Sequence, residues 1–264
     1  MKRKNYTLLL LLLLFTLTVS AQNNRAYFGL GASYLNFQDA RFSNLRLSGN
    51  ALSAEIGYES LSEKRYSYLK SIFSFGTNPI PFRDDENISI IQLSPALGYF
   101  RNFFEDNFYL GFTANIFDLT TRTNNVLSNS SLTFMHSNDL LLAAAYVKPV
   151  SKSLRLEFRS ELGLLSIMKY APSFSATFPQ NIIDNGRVSY QDGEILNATS
   201  WKYMVIKTGF NQTYLKFNAA AYLGKRLGIS YAWRVRSFSD FEDYPLTMAR
   251  HSFTFRYHFI SRSK

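Results

Sequence analysis

Cysteine is absent from all 264 residues. That excludes disulfide staples, cysteine-ligated metal or redox centres, and lipid acylation at a cysteine. Charge is scarce as well, at 18% of the chain, against roughly 25% in typical soluble domains. Beyond the first 21 residues, no stretch stays apolar for the ~18 positions that mark a spanning helix. No Lys/Arg block follows residue 4, so the excess of 29 basic over 19 acidic residues leaves no nucleic-acid footprint. No Gly-rich phosphate loop, G-x-S-x-G elbow, paired-carboxylate motif or Asp-x-Asp-x-Asp-Gly spacing occurs, and neither cofactor nor metal is expected. What the chain has in abundance is aromatic: 24 Phe, 17 Tyr and 2 Trp. With 46% apolar residues, it is not a disordered chain.

Residues 1–21 read as a secretory signal peptide. Lys2, Arg3 and Lys4 give the positive start, and Leu8–Leu14 with Phe15, Leu17 and Val19 give the apolar core. Val19-Ser20-Ala21 is a small-residue cleavage site, which leaves 22–264 as a single mature domain. Removing the leader leaves 26 basic against 19 acidic side chains, a net +7. For an exported protein, acidic lipid headgroups and anionic glycolipids are better partners for that charge than nucleic acid.

Period two fills the mature chain. In Leu154–Leu164 the even positions are nearly all apolar, while Arg155, Glu157, Arg159 and Glu161 occupy odd ones. On a strand the two sets point to opposite faces, whereas a helix would spread the charges around its circumference. The same alternation runs through Phe28–Tyr34, Leu52–Tyr58, Leu69–Phe75, Ile91–Tyr99, Phe108–Ile116, Leu140–Tyr146, Ile229–Val235 and Phe253–Phe259. Counting segments predicts about ten strands, and a division of the less regular Ser200–Leu223 gives twelve. Short polar turns fall near Glu63–Arg65, Glu105–Asn107, Lys148–Lys152 and Gly224–Arg226. Longer links are expected at roughly 37–50, 77–87, 119–131, 168–200 and 239–249. Asp184-Asn185-Gly186 and Gln191-Asp192-Gly193 in the longest of them are turn signals that can cap an extra hairpin.

Three features put the apolar face outward, against lipid. A barrel of ten strands lacks the internal volume for most of these aromatics. Short turns at one end and long loops at the other is the asymmetry of membrane barrels. Tyr58, Tyr66, Tyr99, Phe108, Tyr146 and Tyr222 all sit near a short turn, the depth of an interfacial girdle. The inward set is then Glu55, Glu59, Arg155, Glu157, Arg159, Glu161, Arg234 and Arg236. Such mixed charge cross-pairs and rigidifies a lumen, or lines a narrow pore without strong ion selection.

From Arg25 to about Ser261 the chain resembles a Gram-negative outer-membrane β-barrel protein. The most specific element is Ser252–Phe259, whose alternating Phe255, Tyr257 and Phe259 look like the C-terminal signal read by the barrel-insertion machinery. Five residues, Ile260–Lys264, follow Phe259 and depart from that pattern. The resemblance implies an all-β, porin-like antiparallel transmembrane barrel with short periplasmic turns and long extracellular loops. It also implies an outer-membrane location after cleavage near Ala21, with outer-membrane lipid, lipopolysaccharide and the insertion machinery as partners.

Chemistry is thin. Outer-membrane lipid hydrolases place a His and a Ser one residue apart, on one strand face. Here the nearest match is His136-Ser137-Asn138, where adjacent positions face opposite ways. His136 and Asn138 are in register with Leu140 and Leu142 and look toward lipid. His251 and His258 fall on opposite faces and make a poor metal pair. Asp84-Asp85-Glu86 and Asp240, Glu242 and Asp243 lie in two long links, as solvated charge or as oxygen ligands for a divalent cation. Three functions stay open. The first is a non-enzymatic outer-membrane barrel, either a narrow channel or a structural, surface-binding protein. The second is an outer-membrane lipid-modifying enzyme centred on His136, and the third a soluble exported barrel that binds an apolar ligand.

Overall fold

The computed structural model describes residues 23–40, 43–79, 87–104, 107–124, 131–171, 200–239 and 245–260. The predicted leader, both acidic clusters, the Asp184 and Gln191 turn signals and the last four residues lie outside the described residues. Eleven strands account for almost everything else. They are β1 (Asn23–Asp39), β2 (Ser43–Leu61), β3 (Arg65–Pro79), β4 (Asn87–Phe104), β5 (Phe108–Asn124) and β6 (Ser131–Pro149). β7 (Leu154–Ala171), β8 (Val205–Thr208), β9 (Gln212–Leu223), β10 (Leu227–Ser239) and β11 (Pro245–Ile260) complete the set among the described residues.

Every pairing is antiparallel, and the sheet closes on itself. β1 pairs with β2 on one side and β11 on the other, from Arg25↔Ile260 to Asp39↔Leu246. The Ser200–Leu223 region does divide, but not into two barrel strands. β9 pairs with the lower half of β7 and the short β8 with its upper half, both antiparallel to it. The two are one interrupted strand, so the barrel has ten staves. At the short-turn end the hairpins are tight. Ser62 N donates to Arg65 O at 2.8 Å, and Arg65 N returns to Ser62 Oγ at 3.1 Å. Gly224, at φ +63°, takes the left-handed turn position before β10 that a side chain resists.

Most strands run 15 to 19 residues, well beyond the ~9–11 that cross a bilayer. The surplus lies at the long-link end. The expected link at 37–50 is mostly strand: β1 continues to Asp39 and β2 resumes at Ser43. The polarity pattern explains the error. From the short turns upward, each strand exposes apolar side chains, among them Phe28 and Leu30, Leu52 and Ile56, Phe73 and Phe75, Phe253 and Phe255. This belt is about nine residues tall, roughly 23 Å at ~3.3 Å per residue and a ~40° tilt. Above it the pattern inverts. Asn36, Asn50, Thr77 and Thr213 now point outward, while Phe37, Ile90, Met135, Phe238 and Leu246 are buried inside. Along the belt the barrel is apolar outside and polar inside; above it the barrel resembles a water-soluble one.

Irregularities mark that transition. β5 carries one extra residue opposite β4 and β6, at Phe117 with φ 58°. Before it, Thr113 and Asn115 face inward; after it, Asp118 and Thr120 do. β7 has its own extra residue opposite Leu140/Leu141, and Gly209 N donates to Leu164 O where β8 breaks from β9. Bulges of this kind re-aim side chains and fix register.

Candidate functional site in the lumen

The lumen is filled in three layers. The lowest is aromatic and ionic. Tyr66, Tyr68, Phe100 and Tyr109 pack with Ala143, Ala145 and Val147, all nearly inaccessible. Tyr66 donates to Glu157 Oε1 at 2.9 Å, and Tyr222 Oη lies 3.0 Å from Glu157 Oε2 and 3.2 Å from Glu59 Oε1. Arg155 stacks 4.0 Å above the Tyr222 ring and reaches Glu59 at 3.6 Å; Arg159 stacks on Tyr68 and binds Glu161 at 2.9 Å. Large rings fit here because glycine stands opposite them. Tyr27 pairs with Gly57 and Tyr68 with Gly98, and a Cβ on either glycine would collide with the ring.

The middle layer holds Glu55, which accepts from Arg256 Nε and Nη2, each at 3.2 Å, and from Tyr27 at 3.0 Å, with Lys70 at 3.6 Å. Asp118 receives Arg234 at 2.8 Å and Ser94 at 2.6 Å. Higher still, Arg236 clamps Ser137 Oγ at 3.0 Å and Asp139 Oδ1 at 2.8 Å, and Ser137 donates to Asp139 Oδ2 at 3.0 Å. The top layer is apolar, with Phe37, Met135, Met168, Phe238 and Leu246 buried together. Arg122 lies 3.2 Å above the Phe37 ring. Between these layers lies a mid-barrel cavity of about 100 Å³.

All eight charged residues assigned inward by alternation point into this interior. Glu55, Glu59, Glu157, Arg159, Glu161 and Arg236 are buried, and Arg155 and Arg234 nearly so. Phe255, Tyr257 and Phe259 lie exposed on the outer face of β11, beside β1. The girdle assignment needs correction. Tyr58, Tyr99, Phe108 and Tyr146 face outward near the short turns, but Tyr66 and Tyr222 are 2% and 1% exposed and hydrogen-bonded in the lumen. Depth placed them correctly and facing did not: both have the parity of the inward set on their strands.

His136 also differs from expectation. It lies on the outer side of β6 yet is 3% exposed, not turned to lipid. The Phe117 ring sits 4.4 Å away, and Asn138 Nδ2 is 3.2 Å from His136 Nε2. Asn138 Oδ1 meanwhile accepts the Phe117 N–H at 2.9 Å, holding the bulge. Ser137 faces the lumen, engaged by Arg236 and Asp139, so no His136–Ser137 pair forms. His251 bonds Tyr231 outside at 2.7 Å while His258 is buried inside. No cluster of three or more metal-ligating side chains occurs among the described residues. Missed from the sequence were Lys70, Asp118, Asp139, Lys216 and Arg256, which pair with the expected set, and Asn115 and Arg250, which bond other inward side chains. Parity alone marks most of them, but Asp118 required knowledge of the bulge.

No protein-family model and no curated protein matches the chain. Among solved structures it is similar to the translocator domain of autotransporter NalP from Neisseria meningitidis, at 10% identity, 97% coverage of this chain, 94% of that chain and a TM-score of 0.46. An outer membrane channel from Pseudomonas putida F1 gives 8% identity, 91% and 97% coverage and a TM-score of 0.42. Ail, the attachment invasion locus protein of Yersinia pestis, gives 7% identity, 90% and 100% coverage and 0.35.

Proposed function

We propose that this chain is an exported, non-enzymatic outer-membrane barrel that acts as a structural or surface-binding scaffold, its lumen closed by its own side chains. The observation that carries this reading is the filling of the interior at both ends. Below, the Tyr66–Tyr68–Phe100–Tyr109 cluster is locked to Glu59, Glu157, Arg155 and Arg159. Above, Phe37, Met135, Met168, Phe238 and Leu246 pack across the axis. Small barrels are ordinarily filled by side chains in this way. A belt roughly 23 Å tall is close to the ~25 Å apolar band of outer-membrane barrels, which supports the membrane location. The signal-like leader and the aromatic β11 support export, insertion by the barrel-insertion machinery and contact with outer-membrane lipid and lipopolysaccharide.

Two measurements test this. The mature protein is expected in the outer-membrane fraction, resistant to salt and carbonate; recovery as a soluble periplasmic protein would return the apolar-ligand reading. In planar bilayers the folded barrel is expected to give no stepwise conductance. Reproducible ohmic steps that scale with the amount inserted would replace the scaffold with a channel.

A further inference from the structure

The inner wall of β9, β10 and β11 carries charge that its ion pairs leave unbalanced. Lys216 stands directly opposite Arg234, and Arg234 directly opposite Arg250, three cations abreast on neighbouring strands. Like charges in that relation repel. Arg234 has Asp118 at 2.8 Å, and Lys216 has Glu161 at 3.6 Å. Arg250 has no carboxylate. It is 8% exposed and donates only to neutral acceptors. Nη2 reaches Ser33 Oγ at 2.8 Å and Ser74 Oγ at 2.7 Å, Nε reaches Ser252 Oγ at 2.9 Å, and Nη1 reaches Gln92 Oε1. A buried charge held only by neutral dipoles is costly and favours a counter-ion.

Space for one lies beside this row. Next to the three cations the same wall carries only Asn218, Ala232, Ser252 and Ser33 in register. These short side chains leave the cavity of about 100 Å³, several times the ~10–15 Å³ that admits one water. Six cations line it: Lys70, Arg159, Lys216, Arg234, Arg250 and Arg256. The two carboxylates in the lining are already shared, Glu55 by Arg256 and Lys70, Glu161 by Arg159 and Lys216. Asn218 also lines the cavity. It is 6% exposed, and its Nδ2 has no hydrogen-bond partner. An unused buried donor and a guanidinium without a carboxylate thus line one cavity.

We infer that the mid-barrel cavity binds a small inorganic anion of halide size, held by Arg250 and the Asn218 amide and flanked by Lys216. The anion is a structural counter-ion for the cation row. A halide supplies one negative charge and accepts several N–H donors from any direction, which suits donors converging from different staves.

The test uses the mature chain refolded in detergent and crystallised with sodium bromide. A bromine anomalous peak is expected inside the cavity, within hydrogen-bond reach of Arg250 and Asn218. In solution, the unfolding midpoint is expected to rise with chloride or bromide, and not with gluconate at equal ionic strength. Ser252→Asp sets a carboxylate against Arg250 Nε and is expected to remove both the peak and the halide dependence while the barrel still folds. If that variant misfolds, Asn218→Leu reads the same loss from the other side of the site. No lumenal bromine in the parent barrel, occupation by sulfate to the exclusion of bromide, or halide dependence that survives Ser252→Asp overturns the assignment. Conductance is a separate readout: a barrel that conducts yet holds bromide here keeps this site and loses the closed-lumen reading.

Discussion

Ile56→Arg on β2 probes whether the outer belt meets hydrocarbon, because depth along that strand is readable residue by residue. Ile56 points outward and is 60% exposed, five residues above Leu61, the last residue of β2 before the short turn. At ~3.3 Å per residue and a ~40° tilt, that is about 13 Å above the lower rim, the middle of a ~25 Å band. Arginine there is expected to cost about 2–4 kcal/mol of folding free energy. The control is on the same strand and face. Asn50 is eleven residues above Leu61 and exposed, about 28 Å up on the same scale and beyond the belt. Asn50→Arg should therefore cost about 0–1 kcal/mol, the value for interfacial positions. Equilibrium urea titrations of folding into lipid vesicles, followed by tryptophan fluorescence from Trp201 and Trp233, give both values. Equal costs at the two positions, or a neutral Ile56→Arg, would refute a lipid-facing belt that ends between Leu52 and Asn50.

Inside the barrel, Glu55→Ala takes from Lys70 its carboxylate at 3.6 Å and leaves Arg256, now bonded to Glu55 at 3.2 Å, with only Glu59 at 3.9 Å. The same titration should show a loss of about 3–5 kcal/mol. Tyr66→Phe removes the 2.9 Å donor to Glu157 and should cost about 1.5–3 kcal/mol, the range for bonds to charged groups. Tyr58→Phe, on the outward face, should stay within about 0.5 kcal/mol, so comparable losses at both would return Tyr66 to the girdle. Asn138→Ala takes away the acceptor that holds the Phe117 N–H at 2.9 Å and should cost about 1 kcal/mol, with amide exchange at Phe117 accelerating ahead of its neighbours.

The fold was legible wherever one face stayed apolar over several pairs. Leu154–Leu164 needed no structure to reveal a strand or its inward charges. The same parity placed Tyr66 opposite Leu69, Phe73 and Phe75, so its inward facing was available; proximity to a turn was the weaker signal. The part above the belt was hidden for a different reason. Leu35-Asn36-Phe37-Gln38 alternates as cleanly as any segment, but its apolar side is the inner one, so a search for one constant facing turns it into loop. Bulges defeat parity altogether: nothing in Ile116-Phe117-Asp118 announces the extra residue that turns Asp118 inward. Arg250 and Arg256 are visible as inward positions of the last strand. Their partners, Ser33, Ser74 and Gln92 or Glu55, sit up to 217 residues away and required the closed barrel.

The seam between β1 and β11 also governs how the chain reaches its final state. Its fifteen matched positions join Arg25 to Ile260, a separation spanning nearly the whole polypeptide, so contact order is high and folding is expected to be slow. Until β11 arrives, β1 and β10 present two long unpaired edges, each a template for intermolecular pairing. Nascent chains lacking the last twenty residues, 245–264, should therefore be aggregation-prone intermediates that need holding by a chaperone, even though most other pairings join strands that are consecutive in the chain. Synthesis order and topology together make the final strand the step that commits the polypeptide.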